Sequence, residues 1–101
     1  MKVNQFHNKN QFHMTDGKTD VLQSYDSTVV IVNRYTRENG SHYNEITLGK
    51  DWDYSRTTSK HVYMFLKEVA GVSFDYINNK KAHVEKLIDE GVIHYEDETE
   101  E

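Results

Sequence analysis

A chain of 101 residues with no cysteine and no proline has room for one folded unit, and it excludes disulfides and thiolate metal sites. No stretch approaches the roughly 20 apolar residues of a membrane span, and Met1-Lys2-Val3-Asn4-Gln5 lacks the apolar run of a secretory leader. A soluble protein of a reducing compartment, without membrane partners, is expected.

The formal net charge is −5, yet residues 1–95 carry twelve acidic and twelve basic side chains, so Glu96–Glu101 supplies the whole imbalance. A neutral body with an acidic tail offers no basic footprint for nucleic-acid phosphates, which places a protein partner ahead of a nucleic acid. The expected organisation is a single domain over 1–95, with 1–9 a candidate N-terminal extension. Residues 96–101 read as a tail, either a solubilising terminus or an arm for a basic partner surface.

Asn4-Gln5-Phe6-His7 recurs as Asn10-Gln11-Phe12-His13, an even offset that would put Phe6 and Phe12 on one side of a strand. His7 and His13 are candidate metal ligands, but no third ligand stands at suitable spacing, so no metal is expected. Asp16-Gly17 separates a strand around Phe12–Met14 from one around Val21–Tyr25. Asn39-Gly40 joins Val29–Tyr35 to His42–Leu48 as a two-residue type I′ hairpin, a register that sets Arg34 opposite Glu45 and Ile31 opposite Leu48.

The segment from Trp52 to His61 holds the only tryptophan. Trp52 is expected as the anchor of the sheet–helix seam, with Asp53 tying down loop amides and Thr57 or Thr58 capping the helix that follows. The same segment has a functional reading, in which helix amides, hydroxyls, Arg56 and Lys60 hold a phosphate or a partner carboxylate. Glycines that would let backbone wrap a nucleotide are missing. Asp53 and His61 suggest acid–base work, but no nucleophile is placed beside them, so neither an enzyme nor a cofactor is expected.

Val62, Phe65, Leu66 and Val69 follow a helical stripe that Gly71 ends, and a second helix is expected from Ser73 through Ile77, Val84, Leu87 and Ile88 to Gly91. Val92–Tyr95 reads as a short closing strand. The predicted fold class is α+β, a small antiparallel sheet of about four to five strands with two C-terminal helices packed on one face.

The order Asn10-Gln11-Phe12-His13, Gln23-Ser24-Tyr25-Asp26-Ser27, Trp52-Asp53-Tyr54-Ser55, Thr57-Thr58 and Lys60, with Phe65-Leu66 beyond, resembles a family of small bacteriophage and prophage proteins of unknown function. The resemblance implies a protein at work in the cytoplasm of an infected bacterial host, and it brings no catalytic residues or cofactor. The doubled Asn-Gln-Phe-His segment and the acidic tail depart from the family pattern.

A binding protein is therefore expected, docking on a host macromolecule and interfering with defence, in the manner of an anti-CRISPR protein, or with other host machinery. Tyr25, Tyr43, Tyr54, Arg56 and Lys60 are the candidate partner-binding residues, set against the plainer use of tyrosine on a β surface. The alternative is a nucleic-acid-binding regulator whose basic face of Arg34, Arg37, Arg56 and Lys60 is occluded by the tail. An exposed sheet edge leaves a homodimer as a further partner.

Overall fold

The computed structural model describes residues 2–5, 11–25 and 27–96. They form strands β1 (Lys2–Gln5), β2 (Gln11–Thr15), β3 (Thr19–Ser24), β4 (Ser27–Thr36) and β5 (His42–Gly49), helices α1 (Arg56–Glu68) and α2 (Lys80–Asp89), and strand β6 (Ile93–Glu96). The α+β class is as expected, but the sheet has six strands in sequence order, and the last pairing, β5 with β6, is parallel. A parallel neighbour cannot be reached by a tight turn, so the two helices serve as the crossover. Residues 2–5, taken from the sequence as part of an extension, supply the outer strand.

Two rows of apolar residues cross the sheet on its helix-covered face. Leu22, Val30 and Leu48 are in register, as are Val32, Ile46 and Ile93. Together with Trp52, Val62, Phe65, Leu66 and Val84 they make one buried cluster. Trp52 is only 4% exposed and stands edge-on to Tyr63, the anchoring role its sequence position suggested. On the opposite face Val3, Met14, Val21, Ile31, Thr47 and His94 form another row.

The hairpin register differs by one residue from the sequence expectation. Arg34 pairs with Asn44 and Ile31 with Thr47, because the loop is the three residues Glu38-Asn39-Gly40. Arg37 N–H donates to Ser41 O at 2.7 Å and Gly40 N–H to Arg37 O at 2.9 Å, with Gly40 at φ 89°. A left-handed third residue lets a right-handed turn rejoin the strand twist. The slip moves Ile31 off the core face and separates Arg34 from Glu45.

Helix α1 is capped by Ser55, whose Oγ accepts from Thr58 N–H at 3.1 Å, so neither Thr57 nor Thr58 is the cap. Helix α2 starts at the Asn79 cap and not at Ser73. Ser73 Oγ instead accepts from Asp75 N–H, and Tyr76 is left-handed at φ 62°, which no helix interior permits. Ile77 therefore lies before α2, while Val84 carries its buried stripe. Gly71 and Gly91 close the two helices as expected; at Gly91 the amides of residues 91 and 92 cap Ile88 and Leu87.

Candidate functional site

The start of α1, the β3–β4 connection and the loop after β5 enclose a cleft of about 450 Å³. Tyr25 and Tyr54, two of the sequence candidates, both line it, and they are 53% and 80% exposed. Tyr25 stands at φ 55°, a conformation that aromatic residues adopt only under constraint. Gln23 Nε2 donates to its carbonyl at 2.9 Å. Val29, where β4 bulges against β3, is fully buried and lines the same cleft.

A chain of hydrogen bonds forms the polar side of this cleft. Gln11 Nε2 donates to Ser24 Oγ at 2.8 Å, Ser24 Oγ meets Thr58 Oγ1 at 3.0 Å, and Ser55 Oγ donates to Thr58 Oγ1 at 3.2 Å. Gln11, Ser24 and Thr58 are buried, so each hydroxyl is oriented by its neighbours. Beside them Ser27 Oγ donates to Asp51 Oδ2 at 3.2 Å.

The other candidates lie elsewhere. Arg56 and Lys60 line a separate, wider groove with Lys80, Lys81 and Tyr63. Asp53, expected to hold loop amides, faces Lys81 at 3.2 Å, and this hydrogen bond raises the Lys81 pKa above the usual lysine value. Tyr43 stacks on Tyr35 with centroids 5.2 Å apart, beneath the Arg37 guanidinium at 4.4 Å. Thr57 is exposed, and its carbonyl meets His61 Nδ1 at 2.8 Å.

Three charged or titratable groups gather under the far end of α1. Arg34 bonds Asp20, His13 Nε2 lies 2.7 Å from the same carboxylate, and Arg34 also reaches the Val69 carbonyl at 3.5 Å. Burial, and then the Arg34 charge, lower the His13 pKa below its ordinary value. Among the described residues no three metal-ligating side chains cluster. His7, Phe6 and the tail beyond Glu96 lie outside the described residues.

Residues 1–88 match the family of unknown function DUF8033. The chain belongs to that family. Neither the curated proteins nor the solved structures offer a significant match. The DUF8033 match spans β1 to the last turn of α2, so every residue lining the Tyr25–Tyr54 cleft falls inside it, and β6 falls outside.

Sequence reasoning missed Gln11, Asp20, Ser24, Ser27 and Asp51. For Asp20 a signal existed: it shares the strand parity of Leu22 and thus the core face. Placing Arg34 opposite Glu45 hid the partner that makes a carboxylate tolerable there. Ser27 and Asp51 are 24 positions apart in the chain, and no local pattern joins them.

Proposed function

We propose that this DUF8033 protein is a phage-encoded accessory factor that works by binding, docking on a host macromolecule through the Tyr25–Tyr54 cleft in the bacterial cytoplasm. Interference with host defence or another host machine is the outcome this docking serves. The observation that carries the reading is the pairing of two exposed tyrosines with a hydroxyl network held by buried bonds. Aromatic side chains supply large contact area at small entropic cost, and a polar floor already in place loses little on binding. The resemblance of its ordered motifs to those of small phage proteins is what supports the habitat.

Affinity capture from bacterial lysate, with wild type beside Tyr54→Ala, tests the reading. Tyr54 is 80% exposed, so its removal should spare the fold. A host protein retained by wild type and lost with the variant is the expected result. Equal capture by both, or by neither, overturns the cleft as docking surface.

The groove of Arg56, Lys60, Lys80 and Lys81 favours a second reading, a nucleic-acid-binding regulator. Its basic set differs from the one suggested by sequence. Arg34 is engaged by Asp20 beside the Val69 carbonyl, about 20 Å from Arg56 along the thirteen residues of α1. Binding to single- or double-stranded DNA or to RNA that falls steeply with added salt and strengthens on removal of the acidic tail, residues 96–101, is required. No retardation of any of them by the truncated chain ends this alternative.

A further inference from the structure

We infer that the cleft receives an arginine side chain of a protein partner, its guanidinium stacked on Tyr25 or Tyr54 and hydrogen-bonded to Asp51. This deepens the docking reading and rests on it. Among the described residues lining the cleft, Asp51 carries the only charge. Its Oδ2 accepts a long bond from Ser27 Oγ, and a carboxylate has about four acceptor positions.

Three ligand chemistries can be weighed against that lining. An acidic ligand meets Asp51 as a like charge. A neutral polyol would use the one hydroxyl hydrogen that the two bonds among Ser24, Thr58 and Ser55 leave over, but it brings no charge to answer Asp51. A cation suits both remaining features, since the face of a tyrosine ring attracts positive charge and the carboxylate neutralises it. Arginine fits better than lysine because a planar guanidinium stacks on a ring while its edge donates two parallel bonds to a carboxylate, and it sheds water more easily.

The test is an amide NMR titration of the full chain with N-acetyl-arginine methylamide, with the neutral citrulline analogue and the lysine analogue as comparisons. Saturable shifts centred on Tyr25, Asp51 and Tyr54 are expected for the arginine probe. Binding should weaken about tenfold or more for citrulline, and by a similar factor in Asp51→Asn, whose spectrum otherwise overlays wild type. Equal response to citrulline, unchanged binding by Asp51→Asn, shifts spread over carboxylates outside the cleft, or no response at the highest soluble concentration each overturns the inference. The two ideas fail separately: a captured host protein lost with Tyr54→Ala but kept by Asp51→Asn leaves docking standing and removes the arginine.

Discussion

Arg34 reaches diagonally across β4 to Asp20 on β3 and bonds a carboxylate whose residue is only 4% exposed. Removing one partner of a buried pair costs roughly 3–5 kcal/mol, because the other charge stays behind. The Arg34 side chain is 37% exposed, and water admitted there reduces the expectation for Arg34→Met to about 2–3 kcal/mol. Thermal unfolding at pH 7 should show a fall of about 10 °C or more for a domain of this size. Adding Asp20→Asn should recover part of the loss, since the stranded charge is then gone. An unchanged melting temperature in Arg34→Met contradicts this account.

His13 shares that carboxylate and turns its ring edge to Phe65, with centroids 5.0 Å apart. Burial first and the Arg34 cation second disfavour the imidazolium, so the folded chain holds this proton less tightly than the ordinary value of 6.5. Asp20 pulls the other way but is already offset by Arg34. Below about pH 6.5 the unfolded chain therefore binds more protons, and the His13 contribution to stability declines until the lower folded pKa is passed; above 6.5 no penalty operates. Imidazole NMR should place His13 below 6.5 in wild type and higher in Arg34→Met, where Asp20 acts unopposed. A wild-type value at or above 6.5 refutes the assignment.

The Ser55 cap predicts a contrast between neighbours. Ser55→Ala removes the acceptor for Thr58 N–H and a donor to Thr58 Oγ1, at a cost of about 1–2 kcal/mol. Thr57→Ala removes an exposed side chain from α1 and should change stability by less than about 0.5 kcal/mol. Urea unfolding of both separates the true cap from its neighbour, and equal midpoints would count against Ser55.

Gly49 of β5 lies against the β4 backbone at Thr28 and Val29. A Cβ at this position would lie 2.3 Å from the Thr28 carbonyl oxygen, a backbone atom that cannot swing aside. Gly49→Ala should therefore push the strands apart, at a cost toward the upper end of the roughly 1–3 kcal/mol typical of overpacking. Val29 is next to the contact and lines the cleft, so amide shifts in this variant should extend to Ser27, Val29 and Tyr54. A wild-type urea midpoint would show that the strands have slack there.

Element type was legible wherever one period ran long enough. β-Branched and aromatic runs on either side of Asn39-Gly40 revealed β4 and β5, the Val62–Phe65–Leu66 spacing revealed α1, and the only tryptophan in the chain marked the seam. Register was not legible, because Asn39-Gly40 serves a two-residue and a three-residue loop equally well and local propensity does not choose between them. The start of α2 was hidden for a similar reason: Ser73 and Asn79 are both competent caps, and the left-handed Tyr76 between them has no sequence signal. Of the partner-binding candidates, Tyr25 and Tyr54 converge on one cleft, whereas Arg56, Lys60 and Tyr43 serve other surfaces. Exposed side-chain type could be read from the chain, but convergence depends on contacts such as Ser24 with Thr58, 34 positions apart.

The loop between β4 and β5 offers a sharper trial of the register. Arg37 and Ser41 form the closing pair, and Glu38-Asn39-Gly40 bridges them. Deleting Glu38 leaves Asn39-Gly40 as a two-residue loop between the same closing pair, the length for which a type I′ turn is the natural conformation. The deletion should therefore keep Val30 opposite Leu48 and Val32 opposite Ile46, the pairs that hold the core face. Stability should change by no more than about 1 kcal/mol, and cross-strand NMR contacts between Val32 and Ile46 should persist. Had the three-residue loop itself been setting the register, the shortened chain would slip by one, carry Ile31 toward the helices and lose cooperative unfolding, because every side chain beyond the turn would change faces.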